Sequence, residues 1–353
     1  MSFAKPGAVA GQISVRLLFA MSLATFATGQ LQAQQLTVLN SGTQENLRGI
    51  SALPNGVAWA SGTHGTYLKT ADRGTTWSVA HVPQANDLDF RDVEAFSVDA
   101  AYLLSAGPGE LSRIYKTTNG GNSWELQYTN KDPKGFLDCM AFWDPSHGIV
   151  VGDPVNGRFT ILLTEDGGRT WNQTPAAALP PAQQGEGAFA ASGTCVAVSG
   201  QKNAWFVTGG TTARVFRSPD AGQTWEVSET PIVRGASAGI FSIAFRDEKH
   251  GAIAGGDYKD AARNDANLAF TDDGGKTWKL SALEPQWYFS AVAFQRQGFI
   301  AVGSTRSGHV VEEKAKTWSK TWDEGLNAVS AFGTDSAIAV GANGKIVRFT
   351  NLK

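Results

Sequence analysis

Apolar residues in this chain come in short runs separated by polar turns, and the runs recur in register. Seven runs end in alanine followed by a large apolar residue: Ala52-Leu53, Ala95-Phe96, Ala141-Phe142, Ala197-Val198, Ala244-Phe245, Ala293-Phe294 and Ala331-Phe332. A second run follows each and closes at a glycine: Gly62, Gly107, Gly152, Gly209, Gly255, Gly303 and Gly341. A third run, as in Tyr67-Leu68-Lys69 or Val215-Phe216-Arg217, leads into a polar turn, and a fourth begins near a tryptophan. Short runs of this kind, bounded by glycine and polar clusters, read as strands. Seven alanines in one column predict inner strands crowded around an axis, where a larger side chain would clash.

The turn between the third and fourth runs has the form Ser/Thr-x-Asp-x-Gly-x-Thr-Trp. Its Asp and Trp positions are Asp72 and Trp77, Asp166 and Trp171, Asp220 and Trp225, and Asp273 and Trp278; one copy carries Asn119 with Trp124. A worn sixth copy ends at Trp318. Successive tryptophans are 47, 47, 54, 53 and 40 residues apart. Strand-rich units at that period predict an all-β, single seven-bladed β-propeller with four-stranded blades. The turn chemistry is structural. Hydroxyl and carboxylate accept backbone N–H bonds, glycine supplies a positive φ, and the Trp ring fills space between sheets. One such carboxylate per blade around a rim cannot converge into a catalytic or metal array.

The seventh unit stops after its third strand, near Thr350 and Asn351. A spare strand starts at Gln35, and its expected place is the missing fourth position of blade seven. That closure would leave no open sheet edge there. The two long steps come from a Pro/Ala/Gln-rich insertion at residues 174–192 and a polar loop at residues 255–267. In a four-stranded blade both fall on one face, opposite the recurrent turns, and loops on a rigid scaffold are where binding resides.

Charge narrows the partners. The 353-residue chain has a formal net charge of -2 and no basic patch, so a nucleic-acid partner is disfavoured. Lys5 and Arg16 precede an apolar run at residues 17–27 and a series of small residues. This reads as a signal peptide over residues 1–33 with cleavage after Ala33, and a propeller over residues 34–353 in the periplasm or outside the cell. The expectation is a monomer. The two cysteines, Cys139 and Cys195, sit in one column of adjacent inner strands. They read as buried small residues, with a cross-blade disulfide as the alternative in an oxidising compartment. The five histidines lack zinc spacing, the loop acids lack the EF-hand pattern, and no nucleotide or haem motif occurs; no metal or cofactor is expected.

The loop face holds the candidate binding residues. Arg48 and Arg91 share a column at the start of inner strands one and two, with Asp92 and Asp138 in the next column. Asp153 and Asp257 follow the second strands of blades three and five. Arg158, Glu186, Tyr258, Lys259, Arg263, Trp287, Tyr288 and Arg306 lie nearby in sequence. A mixed rim of Arg, Asp and aromatic side chains suits a polar ligand or a peptide.

The recurrent turn is identified as the Asp-box, or BNR repeat. Boxes of the form Thr-x-Asp-Gly-Gly-x-Thr-Trp, seven short blades, a secretory signal and an N-terminal closing strand together resemble the exported photosystem II assembly and stability factor family, with its relatives in non-photosynthetic bacteria. The resemblance covers nearly the whole chain after residue 33. It implies a non-enzymatic scaffold that holds an exported or membrane protein or peptide, partly through surface arginines, to which Arg48 and Arg91 correspond. The other Asp-box reading is a glycoside hydrolase acting on an extracellular glycan. Sialidases need an arginine triad, a Tyr nucleophile activated by Glu, and an acid. Their Arg-Ile-Pro signature is absent, the nearest string being Phe90-Arg91-Asp92-Val93, and they have six blades. Asp138 with Asp153, or Glu186 with Asp257, are the carboxylate pairs to consider for a sugar.

Overall fold

The computed structural model of the chain describes residues 1–5, 7, 33–295, 298–311 and 314–352. Met1–Ala33 is a unit separate from Gln34–Lys353. The apolar run of the expected signal peptide and Arg16 lie outside the described residues, as do Glu312 and Glu313 of the sixth turn. Among the described residues no helix is long and apolar enough to cross a membrane.

Seven antiparallel sheets form a seven-bladed propeller. Blade one runs Leu47–Ala52, Ala58–Gly62, Thr66–Thr70 and Ser78–His81. The innermost strands of the next six blades are Phe90–Ala95, Leu137–Phe142, Val196–Ser199, Gly235–Phe245, Ala291–Phe294 and Ala328–Ala331. Blade seven takes its outermost strand from the other end of the chain, as expected. Gln35–Leu39 pairs with Ile346–Thr350, Gln35 opposite Thr350 and Leu39 opposite Ile346. Blade five also carries two short strands, Glu186–Gly187 and Gly209–Gly210, on its inner edge.

The box residues are saturated with local hydrogen bonds. Thr70 Oγ1 donates to Asp72 Oδ1 at 2.8 Å and accepts the Gly74 N–H at 3.0 Å. Asp72 accepts the Thr76 N–H at 2.9 Å and the Thr76 hydroxyl at 2.7 Å. Asp166, Asp220 and Asp273 repeat the pattern, and Asn119 reproduces it with an amide. The turns also tie blades together. Tyr67 Oη donates to the Gly121 carbonyl at 2.9 Å, Tyr102 Oη to that of Gly167 at 2.7 Å, and Trp205 Nε1 to that of Gly274 at 2.8 Å. Trp124 packs edge-on against Trp59 and Tyr67 of the preceding blade.

Strand register corrects the alanine column. In blades three to six the column holds Ala141, Ala197, Ala244 and Ala293, but in blades one, two and seven it holds Ser51, Glu94 and Ser330. Ala52, Ala95 and Ala331 stand one place further, opposite Ala58, Ala101 and Ala337, where blade three has Phe142 and blade five has Phe245. Counting from alanine therefore slips these three strands by one residue. The same slip moves Asp138 into the column of Arg48 and Arg91, while Asp92 joins Gly49, Cys139 and Ser242.

Cys139 and Cys195 are buried, as expected, and bonded to each other. Their Cα atoms are 5.8 Å apart. Adjacent inner strands come that close beside the axis, within disulfide range, so the reading of two independent small residues does not hold.

Candidate binding cavity on the loop face

Antiparallel order puts the starts of all innermost strands, the blade-to-blade crossings and the turns between second and third strands on one face. The boxes lie on the other. At four strand starts the pairing register breaks: Arg48 is skipped between Leu47 and Gly49, Arg91 between Phe90 and Asp92, Asp138 between Leu137 and Cys139, and Phe241 between Ile240 and Ser242. A bulge re-aims its extra side chain out of the sheet. Leu47, Phe90 and Ile240 stay in the core, while Arg48, Arg91 and Phe241 line a cavity of about 400 Å³. Tyr258, Tyr288, Ser290 and Asn327 complete its walls on the side of blades five to seven.

The remaining wall is the insertion at residues 174–192. Phe189, Ala190 and Ala191 line the cavity, and residues 182–188 line a neighbouring one of about 770 Å³ with Asp153. The insertion is pinned at several points. Glu186 receives Arg214 Nε at 2.9 Å and Nη2 at 2.5 Å, plus the Thr208 hydroxyl at 2.6 Å. Asp153 accepts the Ala188 N–H at 2.9 Å. The Ala190 peptide is held from both sides, its N–H by Asp138 and its carbonyl by Arg91 Nη1 at 2.9 Å. Ser192 Oγ donates to the Ser290 carbonyl at 2.8 Å, and the disulfide follows at Cys195. The wall is thus preorganised, which lowers the ordering cost of binding.

The cavity is electropositive. Arg91 Nε is 2.5 Å from Asp89 Oδ2. Arg48 forms no ion pair, and its Nε is buried without a hydrogen-bond partner among the described residues. Burial and then the nearby Arg91 push the Arg48 guanidinium down to about 10, still charged at neutral pH. Burial raises the Tyr288 phenol, so it stays neutral. Phe189 and Phe241 stack with ring centroids 4.1 Å apart and planes 9° from parallel. Tyr288 meets Phe241 edge-on at 4.9 Å.

Of the candidates named from sequence, Arg48, Arg91, Tyr258 and Tyr288 converge on this cavity. Asp92 and Asp138 lie beneath the surface, each held well above the usual carboxylate range by burial. Asp92 accepts the N–H groups of Val93 and Met140, both at 2.7 Å, and so joins blades two and three. Glu186 and Trp287 are buried instead of standing on the rim, because Arg214 neutralises the first and the Arg306 carbonyl takes the second's indole N–H at 2.9 Å. Arg158 donates to the Ala176 carbonyl, Arg306 pairs with Asp323, and Arg263 pairs with Asp265 in the polar loop that also carries Asp257 and Lys259. The carboxylate pairs considered for a sugar do not frame a site: Asp138 is sealed in the core and Glu186 is spent on Arg214. Phe189, Phe241 and Asn327 line the cavity without having been legible in the sequence. Nothing in an Ala/Gln-rich insertion or an apolar strand marks them, although an aromatic residue in the Arg48 column is a usable signal for Phe241.

The BNR/Asp-box repeat model matches residues 269–280. The chain is 23% identical over 269 residues to the photosystem II stability/assembly factor HCF136, chloroplastic, of Arabidopsis thaliana, and it spans 62% of that relative's length, using 62% of its own. Three solved structures share the fold. YCF48 bound to D1 peptide has a TM-score of 0.60 at 18% identity, covering 90% of this chain and 96% of its own. YCF48 from Cyanidioschyzon merolae has a TM-score of 0.64 at 19% identity, covering 89% and 98%. U3-55K has a TM-score of 0.63 at 14% identity, again covering 89% and 98%. By its repeat, its sequence similarity and its fold, the chain resembles the photosystem II assembly-factor family of seven-bladed Asp-box propellers.

Proposed function

We propose that this protein is an exported, non-enzymatic scaffold that holds a protein or peptide partner over the loop face of its propeller. The observation that carries the reading is the axial cavity: two guanidinium groups, one with no ion-pair partner among the described residues, set in an aromatic wall that is already in place. Such a site suits recognition of an acidic or aromatic polypeptide segment. The relatives support the same reading, since one is an assembly factor and one solved neighbour is bound to a peptide. Export is supported by the N-terminal sequence and by a buried disulfide of the kind that persists in oxidising compartments. The test is a crosslinking pull-down from the native compartment, read by mass spectrometry. Wild-type protein should capture a defined partner, the Arg48→Glu, Arg91→Glu double variant should not, and neither should turn over a panel of aryl glycosides. Capture that is indifferent to the double variant, or glycoside turnover, would overturn the reading.

A further inference from the structure

If the propeller is a polypeptide scaffold, the chemistry of its axial cavity selects which segment of the partner it takes. The fixed charges of the cavity are Arg48, Arg91 and Asp89, so the positive charge is only partly offset. Asp89 is committed to Arg91 through Oδ2. Among the described residues Arg48 forms no ion pair, and its Nε is buried and unpartnered. A desolvated cation without a counter-ion is costly, and a bound anion removes that cost.

Two of the other polar side chains in the walls are already engaged. Asn327 Nδ2 donates to Asn46 Oδ1 at 3.0 Å and to the Leu47 carbonyl at 2.8 Å. Ser290 Oγ donates to the carbonyls of Val302 and Leu326. A neutral glycan would bring no counter-charge to this cavity, whereas an anion meets two guanidiniums. The opposite wall is a slab of stacked rings, Phe189 on Phe241 with Tyr288 edge-on, and Tyr258 stands half exposed at the mouth. A cavity of about 400 Å³ exceeds what a lone carboxylate fills, leaving space beside the rings.

We propose that the cavity seats one carboxylate and one aromatic ring presented together by the partner polypeptide, the carboxylate between Arg48 and Arg91 and the ring against Phe189 and Phe241. This assignment rests on the scaffold reading. The planar fork of arginine matches a carboxylate in two-bond geometry, and ring faces accept a further ring at stacking or edge distance. Two peptide sources offer that chemistry: a chain ending in an aromatic residue, and an internal acidic–aromatic pair.

The experiment is fluorescence anisotropy on the full chain with four labelled twelve-residue Gly/Ser peptides. One ends in Phe as the free acid, one ends in Phe amide, one carries an internal Asp-Phe with an amidated end, and one carries neither acid nor ring. Binding of the first alone points to a chain terminus, binding of the third to an internal pair, and either supports the proposal. Arg48→Met should weaken the bound peptide by at least ~10-fold, about 1.4 kcal/mol. Phe189→Ala should weaken the ring-bearing peptides and leave a fifth peptide, ending in Gly as the free acid, unchanged. Arg48→Met should melt no lower than wild type, so lost binding cannot be laid to unfolding. Equal binding of all four peptides, or binding indifferent to Arg48→Met, overturns this proposal. So does the absence of binding to both the first and third peptides. If the native partner is still captured in the charge-reversal pull-down assay with its Arg48 and Arg91 dependence intact, the scaffold reading survives that failure.

Discussion

The two faces of this propeller use carboxylates in opposite ways. On the box face each acid is wrapped in donors. Asp72 accepts the backbone N–H of Thr76 and the hydroxyls of Thr76 and Thr70, and these bonds draw its carboxyl down to about 2. Toward the loop face Asp92 and Asp138 are buried, and burial lifts both well above their usual range despite the backbone N–H groups they accept. Further along the same inner strand as Asp92, desolvation lifts the half-buried Glu94 to about 8. The box face is where local hydrogen bonds close a repeat; the loop face is where the fold tolerates unmatched charge. Groups held away from their preferred ionisation mark functional sites more often than scaffolding. The contrast therefore separates the face that builds the ring from the face where we propose that a partner binds.

The sharpest way to break that contrast is at the insertion. Arg214→Ala would leave Glu186, whose side chain is fully buried, without its cation. The expected loss is about 3–5 kcal/mol of stability, read from the denaturant midpoint, and the Glu186→Gln, Arg214→Met double variant should regain most of it. A midpoint unchanged by Arg214→Ala would mean that the insertion is not an integral wall. Next in size is the disulfide, which closes a 56-residue separation. Replacing both cysteines by alanine should cost about 4 kcal/mol by the chain-entropy estimate for a loop of that length. The readout is the melting temperature with and without reductant, and only the wild type should respond.

The third test concerns a box. Thr70→Val removes the acceptor for the buried Gly74 N–H and should cost about 1–3 kcal/mol, with peptide binding on the other face unchanged. Loss of binding in a folded Thr70→Val protein would show the two faces to be coupled. The last test is pH dependence, in which Asp72 of a box and Glu94 of an inner strand have opposite signs. Asp72, with a depressed value, contributes stability that is present above about pH 4 and lost as pH falls toward 2. Glu94, with a raised value, favours folding below its unfolded value near ~4.3, and that contribution is lost as pH rises toward 8. Chemical denaturation from pH 4 to 8 should show a decline in stability that Glu94→Gln flattens. Asp92, which interacts with Glu94, and the buried Asp138 share in the titration, so residual slope in Glu94→Gln belongs to them.

The architecture was legible because box chemistry is local. Thr, Asp and Gly at fixed spacing specify a turn whatever surrounds them, and five good copies count blades. The strand after Gln35 was legible for the complementary reason, since the seventh unit lacked one. Register was not fully legible. Ala52 and Ala95 occupy places where other blades put Phe, and no local signal distinguishes an alanine in the crowded column from one beside it. The cavity was half legible. Arg48 and Arg91 announced themselves as charges at strand starts. Phe189 did not, because its role depends on Asp138, Asp153 and Arg91 pinning an insertion whose own sequence is bland. Glu186 and Trp287 misled for the same reason: the partners that bury them, Arg214 and the Arg306 carbonyl, are 28 and 19 positions away.

The pairing of Gln35–Leu39 with Ile346–Thr350 also sets a schedule. Blade seven cannot be finished until its last strand has been made, and the cavity draws Arg48 from the first blade and Asn327 from the seventh, where Asn327 hydrogen-bonds the Leu47 carbonyl. A nascent or truncated chain therefore lacks part of the cavity wall, however many blades it has folded. Closing the ring and completing the cavity are one event.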